Sequence, residues 1–241
     1  MPSSSSRLLR SLSEPWNRTE NRSSSRPAMT KPRQKISKAT VTRLAFYLRE
    51  LQQMQRSGLA NIQSKAIAER LGLNDSQVRR DISCLGTVGQ RGVGYKVHEL
   101  IESIQRILGT DRTWNVILVG VGNLGRALSG YRGFEQQGFH LVGAFDSDPK
   151  KIGTLIGGLK IHRIDELSGF CRSHEVDLAI LAVPADAAQG VVREIENAGI
   201  PGILNFAPIA VQASSKETII QEVDLAIELQ RLAFAVVPKA L

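Results

Sequence analysis

The chain has 241 residues, of which 42% are hydrophobic and 22% are charged, and its formal net charge is +8. These proportions are typical of soluble globular proteins, and no stretch approaches the roughly 18 uninterrupted apolar residues of a membrane-spanning helix. The two cysteines, Cys84 and Cys171, cannot form a disulfide framework or a CxxC metal site, so a reducing cytoplasm is expected and a bound metal is not.

The positive charge is concentrated towards the front of the chain. Residues 1–40 contain nine Lys or Arg and two acidic residues, residues 41–109 contain ten and six, and residues 110–241 contain twelve and fifteen. This asymmetry predicts a polyanionic partner for the front of the chain only. Residues 1–38, rich in Ser, Arg and Pro, are predicted to be a disordered basic tail. The tail is either a solvated extension without a role, a segment that raises non-specific affinity for nucleic acid, or an organelle transit peptide.

Three helices are predicted after the tail. Apolar residues recur at spacings of three and four from Val41 to Leu51, which gives the first helix one apolar face. A short helix follows at 64–71, and a third begins after Asn74 or Asp75, both of which are good N-caps. A helix, a short turn and a further helix form the helix-turn-helix pattern of DNA-binding proteins.

The third helix carries residues that we expect to contact DNA. Gln77, Arg79 and Arg80 lie near its N-terminal end, where a recognition helix meets base edges and phosphates. Four glycines between residues 86 and 94 predict a β-hairpin wing, and Arg91 near its tip would enter a narrow minor groove. The alternative for the three arginines is a solvated basic face.

A glycine-rich turn follows the apolar run VILVG. In the motif G-x-G-x-x-G, Gly120 permits the tight turn, Gly122 lets a pyrophosphate approach and Gly125 lets helix and strand pack closely. The pyrophosphate would rest on N–H groups at the start of the next helix. The expected cofactor contacts are therefore Gly120, Val121, Gly122, Asn123, Leu124 and Gly125.

A second apolar segment, FHLVGAFD, ends at Asp146, which follows Gly125 by twenty-one residues. A carboxylate at that point can accept hydrogen bonds from both adenosine ribose hydroxyls and would repel a 2′-phosphate. NADH or NAD is therefore expected rather than the phosphorylated cofactor. The alternative for Asp146 is a loop residue that caps the next helix.

Two further apolar runs, at 176–184 and 200–208, flank a helical segment at 185–199. The alternation predicts a parallel sheet, in which ligands bind at the carboxyl ends of the strands. The residues expected near the nicotinamide are Val183, Pro184, Asn205, Phe206, Ala207 and Pro208. The alternative is that they are ordinary strand-end residues. The last apolar segment, 222–237, predicts a helix that packs either on its own domain or on a partner subunit.

Catalytic side chains are scarce in the nucleotide-binding half. The candidates are His140, at the start of a predicted strand, His162 and His174, in polar connecting segments, and Cys171. None lies at the predicted carboxyl end of a strand. A nucleotide site without such chemistry favours sensing over catalysis.

With both halves assigned, the chain closely resembles the Rex family of redox-sensing transcriptional repressors. The matching segments are SKATVTRLAFYLREL, SQVRRDISCLGTVGQRGVGY, VGVGNLG, ILNFAP and QEVDLAIELQRLAFAV, and the resemblance covers about 37–238. It implies a homodimer that binds operator DNA at low NADH/NAD ratio and releases it when NADH binds. It also implies a C-terminal helix exchanged between subunits and lodged between the partner's two domains.

The resemblance also implies roles for individual residues. Arg79, Arg80 and Arg91 match DNA-contacting positions, and the glycine turn with Asp146 matches the dinucleotide site. Three residues match a polar set that reorganises between the DNA-bound and NADH-bound states: Arg49, Tyr131 and Asp224. Two positions depart from the pattern of some members, because Leu225 stands where they have an aromatic residue and Asn123 where they have an arginine.

The sequence thus predicts an α/β protein with four segments: a tail at 1–38, a winged-helix DNA-binding domain at 39–112, a Rossmann NAD(H)-binding domain at 113–213, and a dimerisation strand and helix at 214–241. A redox-sensing repressor that is not an enzyme is the first hypothesis. The alternatives are an NAD-dependent reductase that carries a DNA-binding module and a constitutive DNA binder with a vestigial nucleotide fold.

Overall fold

The computed structural model describes residues 36–86, 89–90 and 93–237. The predicted tail therefore lies outside the described residues except for 36–38, the last of which begins the first helix. None of the helices in these described ranges is long and apolar enough to cross a membrane.

The front of the described chain is mainly helical. Its elements are α1 (Lys38–Arg56), β1 (Asn61–Ile62), α2 (Ser64–Leu71), α3 (Asp75–Ser83), β2 (Tyr95–Lys96) and α4 (Val97–Leu108). The predicted N-cap is confirmed at Asn74, whose side-chain oxygen accepts a hydrogen bond from the Ser76 N–H at 2.9 Å. Gly72 ends α2 in the left-handed conformation that favours glycine.

The helix α4 was not among the predicted elements. Its buried residues Val97, Leu100, Ile101 and Ile104 recur at spacings of three and four, a pattern that would have revealed it. They join the buried apolar residues of α1, α2 and α3 in one hydrophobic core. Helix α4 therefore packs against α1 and shares one hydrophobic core with the helix-turn-helix.

The predicted wing is partly described. Gln90 and Gly94 form an antiparallel bridge, and β2 pairs antiparallel with β1. Gly94 has φ of +90°, and a Cβ atom there would lie 2.2 Å from the carbonyl oxygen of Ile62, so only glycine fits. Arg91, the predicted tip residue, lies outside the described residues.

The remainder of the described chain alternates strands and helices around one seven-stranded sheet. Its elements are β3 (Trp114–Val119), α5 (Asn123–Ser129), α6 (Gly133–Gln136), β4 (Phe139–Asp146), β5 (Leu155–Ile156), β6 (Leu159–Arg163), α7 (Leu167–Ser173), β7 (Leu178–Leu181), α8 (Ala185–Asn197), β8 (Gly202–Asn205), β9 (Ile219–Glu222) and α9 (Leu225–Val236).

The sheet has the strand order β5-β6-β4-β3-β7-β8-β9. Every pair is parallel except β5 with β6. Without the short β5, this is the order of a dinucleotide-binding sheet, in which strand order reverses beside the first strand. The α/β class and the parallel sheet are thus confirmed. Strand β9, which belongs to the predicted dimerisation segment 214–241, pairs with β8 and forms one edge of the sheet.

The sheet buries its own apolar residues on both faces, separately from the helical core at the front of the chain. A short connection joins the two parts. There the Trp114 indole N–H donates to the Gly109 carbonyl at 2.6 Å, and the Arg112 guanidinium lies over the Trp114 ring at 3.9 Å. The Gln137 side-chain amide also donates to the Gln52 carbonyl oxygen on α1 at 2.9 Å.

Candidate functional site

The glycine turn lies between β3 and α5, where strand order reverses. Gly120 has φ of +95°, and a Cβ atom there would lie 2.4 Å from the Ala182 carbonyl oxygen. A Cβ atom at Gly125 would lie 1.9 Å from the Gly120 carbonyl oxygen, whereas at Gly122 nothing lies within 4 Å. The first and third glycines therefore serve chain packing, and the second leaves open space. The first turn of α5 has no side-chain cap, so its N–H groups can receive an anion.

Asp146 lies at the carboxyl end of β4, beside the glycine turn, and is only 9% exposed. Its Oδ2 accepts hydrogen bonds from the Val121 N–H at 2.7 Å and the Lys151 ammonium at 3.0 Å, while Oδ1 accepts from the Asp148 N–H at 2.8 Å. Burial opposes ionisation, but these three donors outweigh it and hold the pKa of Asp146 below its ordinary value. The carboxylate is therefore charged and ties the turn to β4.

Lys151 was missed in the sequence analysis. It follows Asp146 by five residues across a turn, and no periodic pattern predicts that its ammonium returns to the carboxylate. The carboxyl end of β4 therefore holds a cation beside the carboxylate that was expected to bind the ribose.

The six residues expected at the nicotinamide end lie at the carboxyl ends of β7 and β8: Asn205 is the last residue of β8, and the other five follow one of the two strands. Pro184 is exposed and precedes α8, and Pro208 is also exposed, whereas Phe206 packs on one face of the sheet and Ala207 on the other. Asn205 is fully buried, and its side chain forms three hydrogen bonds within the protein. A nucleotide would meet this loop mainly through its backbone.

The outer face of α3 carries the arginines expected at DNA. Arg79 and Arg80 are both exposed, and Arg79 forms an ion pair with Asp75 one turn earlier. Gln77 is placed differently, because its amide donates to the Asp81 carboxylate at 3.0 Å. Gln77 therefore braces the helix in this structure rather than projecting freely from it.

Asp81 centres a polar cluster that the sequence analysis missed. The carboxylate is 2% exposed and accepts two hydrogen bonds from the Arg43 guanidinium, at 2.6 and 2.8 Å, and one from the Tyr47 hydroxyl at 2.8 Å. Burial alone would raise the pKa of Asp81, but bonds from Arg43, Tyr47 and Gln77 hold it below its ordinary value. The available signal was a carboxylate within the apolar stripe of α3, beside Val78 and Ile82.

The three residues of the expected polar set have other partners in this structure. Arg49 lies exposed on α1, 3.9 Å from Glu50, and Tyr131 packs edge-to-face on Phe134. Asp224 caps α9 by accepting hydrogen bonds from two backbone N–H groups, the nearer at 2.8 Å. The structure therefore does not bring the three together within one chain.

His162 and His140 each lie against neighbouring side chains of the protein. His162 lies in β6 rather than in the connecting segment expected, where its ring is 3.2 Å from Glu166 and contacts Phe145 and Phe170. His140 lies 3.0 Å from Glu135 near the start of β4. Among the described residues, no group of three or more His, Cys, Asp or Glu side chains is placed to hold a metal ion.

Two protein families match this chain. Residues 35–83 match the family described as "Putative DNA-binding protein N-terminus", and residues 111–209 match that described as "CoA binding domain". The chain is 44% identical over 200 residues to the redox-sensing transcriptional repressor Rex of Carboxydothermus hydrogenoformans. The aligned region covers 83% of this chain and 96% of that protein.

Solved structures of RSP, a Rex-family repressor, are also similar. The complex of RSP with β-NAD+ and operator DNA has a TM-score of 0.79 at 34% identity, over 84% of this chain and 93% of that one. The complex of RSP with β-NADH has a TM-score of 0.74 at 32% identity, over 84% and 95% of the two chains. Identity and fold agree over nearly the full length of these relatives, and the chain belongs to the Rex family of redox-sensing transcriptional repressors.

Proposed function

We propose that this protein represses transcription by binding operator DNA when the NADH/NAD ratio is low and that NADH releases it. The observation that carries the proposal is that one chain combines two features. A helix-turn-helix with exposed arginines comes first, and a glycine turn whose Val121 N–H donates to Asp146 follows it along the chain. Family membership supports the same conclusion, because RSP has been solved with β-NADH and with β-NAD+ and operator DNA.

We assign DNA contact to α3 and the wing. Arg79 and Arg80 supply exposed positive charge on the outer face of α3, where phosphates and base edges are reached. The buried cluster around Asp81 fixes α3 against α1, so the recognition surface is held before DNA arrives. The wing arginine, Arg91, remains a sequence-based assignment.

The nucleotide lies, in this proposal, along the carboxyl edge of the sheet. Its pyrophosphate faces the open side of Gly122, its adenosine ribose approaches Asp146, and its nicotinamide lies beside 183–184 and 205–208. The open space at Gly122 and the uncapped first turn of α5 support the pyrophosphate position. A sensed ligand must bind one arrangement of the protein better than the other, since otherwise it cannot shift the equilibrium between them.

The proposed working form is a homodimer that exchanges α9. This helix has no buried residues, and Leu229, Leu232 and Phe234 are largely exposed, Phe234 by 86%. An apolar helix of that kind requires cover. A position between the partner's two domains would supply it and would bring Asp224 towards Arg49 and Tyr131. The segments 39–112, 113–213 and 214–241 are then the DNA-binding, nucleotide-binding and dimerisation parts, with β9 serving the sheet as well.

A titration tests the proposal and its alternatives together. A duplex is first selected by the full-length protein from a random-sequence pool, and its binding is then measured by fluorescence anisotropy against NADH and against NAD. We expect NADH to weaken binding and NAD to leave it or strengthen it, with NADH absorbance constant throughout. Consumption of NADH with a carbonyl substrate would identify a reductase, and binding indifferent to both nucleotides would identify a constitutive DNA binder.

A further inference from the structure

Asn205 links three parts of the structure through one buried side chain. It ends β8 and is 0% exposed. Its Nδ2 donates to the Glu222 Oε2 at 2.5 Å and to the Ile209 carbonyl at 2.9 Å, and its Oδ1 accepts from the Ala207 N–H at 2.9 Å. These bonds use the hydrogen-bonding capacity of the amide within the loop and the neighbouring strand.

Glu222 holds the same loop from the other side. It is the last residue of β9, paired in register with Asn205. Its Oε1 accepts from the Val211 N–H at 3.3 Å, while its Oε2 takes the Asn205 amide. One exposed carboxylate therefore fastens both ends of the turn at 205–211 to the edge strand.

The edge strand leads directly into α9. The Val223 N–H donates to the Asn205 backbone carbonyl at 2.8 Å, and Asp224, the next residue, caps α9. Because β9 has only one neighbouring strand, β8, its position depends on that pairing and on the Asn205–Glu222 bond. The 205–208 loop is therefore joined to the start of α9 through the side-chain bond of Asn205 to Glu222 and its backbone bond to Val223.

We infer that Asn205 and Glu222 form a brace that transmits nucleotide binding at the 205–208 loop to α9, with Glu222 as a positioning residue for NADH-triggered release of DNA. The inference rests on the proposed function. Its physical basis is a contiguous path of hydrogen bonds that joins a ligand-facing loop to an element able to occupy two arrangements. Glu222 acts only through Asn205 and β9.

The test compares three substitutions in the full-length protein. Glu222→Ala removes the brace, Glu222→Gln keeps a carbonyl oxygen that accepts from Asn205, and Glu217→Ala removes an equal charge from an exposed site shortly before β9. For each, three quantities are measured: the affinity for the selected duplex without nucleotide, the affinity for NADH by calorimetry, and the factor by which saturating NADH weakens DNA binding. Thermal denaturation compares their folding.

We expect Glu222→Ala to reduce, by roughly tenfold, the factor by which saturating NADH weakens DNA binding. The affinity for DNA without nucleotide and the affinity for NADH should each change by less than about twofold. Glu222→Gln should keep most of the factor, and Glu217→Ala should match the wild type. The inference is overturned, with the proposed function intact, if Glu222→Ala responds to NADH as fully as the wild type does. It is also overturned if the substitution lowers both affinities and the melting temperature together, because Glu222 would then serve only folding. A wild type that does not respond to NADH would instead overturn the proposed function and the brace with it.

Discussion

At the scale of residues, the ion pair between Asp146 and Lys151 bears on which cofactor the proposed site would accept. Asp146 has the position and charge expected of a ribose-binding carboxylate, but it shares Oδ2 with Lys151. That ion pair matters for selectivity, because the cation would attract a 2′-phosphate as soon as the carboxylate were removed. In the proposed site, a preference for NADH would therefore depend on this pair of residues rather than on one acid.

Asp146→Ala should weaken NADH binding by about 1–3 kcal/mol, since the ribose hydroxyls lose their acceptor. The same substitution should raise the affinity for NADPH without any added basic residue, because it frees Lys151. Calorimetric titration with both cofactors measures the two effects. The double substitution Asp146→Ala, Lys151→Ala should abolish the gain in affinity for NADPH. The control is Glu135→Ala, which removes one negative charge from α6, at the other end of β4 from Asp146. Unchanged NADH affinity in Asp146→Ala would make this residue purely structural.

Arg80→Ala should weaken binding of the selected duplex by about 1–3 kcal/mol and leave NADH affinity unchanged, because we assign its exposed guanidinium, in the last turn of α3, to contact with phosphate or base. Fluorescence anisotropy at fixed salt concentration measures the change. The control is Arg106→Ala, on α4 in the same part of the chain. Equal DNA affinity in the wild type and Arg80→Ala would show that α3 is not the recognition helix.

At the scale of elements, a buried charge fixes α3 against α1. The Asp81 carboxylate takes hydrogen bonds from Arg43 and Tyr47 on α1 and from Gln77 on its own helix. A buried carboxylate that loses its charge leaves these donors poorly paired, so the cluster specifies one position of α3 against α1.

Asp81→Asn should lower the free energy of unfolding at neutral pH by about 3 kcal/mol. This is the lower end of the usual cost of breaking a buried ion pair, because Arg43 is partly exposed. The folded state depresses the pKa of Asp81, so its stabilisation is complete above the pKa of an unfolded aspartate and is lost as the pH falls through the folded pKa. The gap between wild type and variant should therefore close below about pH 4. Urea denaturation across this pH range measures it, and a gap that does not vary with pH would contradict the assignment.

At the scale of the whole molecule, α9 is the element that one chain leaves uncovered. Its cap, Asp224, lies at the carboxyl edge of the parallel strands, since β9 ends there beside β8. A second subunit that covers α9 would therefore place the same helix in reach of the nucleotide edge and of α1. Dimerisation and signalling would then depend on one element.

Deletion of 225–241 should convert the dimer to a monomer, because it removes the exposed apolar helix while leaving β9 and the sheet intact. Sedimentation equilibrium measures the change. Deletion of 1–35 is the matched control and should leave the dimer unaffected. If the protein without α9 stays dimeric, another surface holds the subunits together.

Asp224→Asn should separate the cap from the switch, because asparagine caps helices as well as aspartate does but carries no charge. We expect both ligands to bind it with near wild-type affinity, whereas NADH no longer weakens DNA binding. Asp224→Ala should in addition lose about 1 kcal/mol of helix stability. The proposed switch fails if Asp224→Asn retains the full NADH response and only Asp224→Ala is impaired, since Asp224 would then be a cap alone.

The sequence by itself determined the features that depend on local chemistry. Apolar spacing predicted α1, capping residues predicted α3, helix-like segments predicted α2, α8 and α9, and FHLVGAFD matches β4 residue for residue. The turn and packing roles of Gly120 and Gly125 were predictable because a tight turn admits few residue types.

Tertiary structure alone decided which polar groups meet. Lys151 returns to Asp146, Arg43 reaches Asp81 across thirty-eight residues, and Asn205 turns inward to Glu222 rather than towards a ligand. Each pairing depends on how distant segments pack, and no periodicity along the chain encodes it. The exposure of α9 was also decided by tertiary structure. The sequence indicates an apolar helix that must be covered, but only the packing of the described residues shows that they leave its apolar side chains exposed.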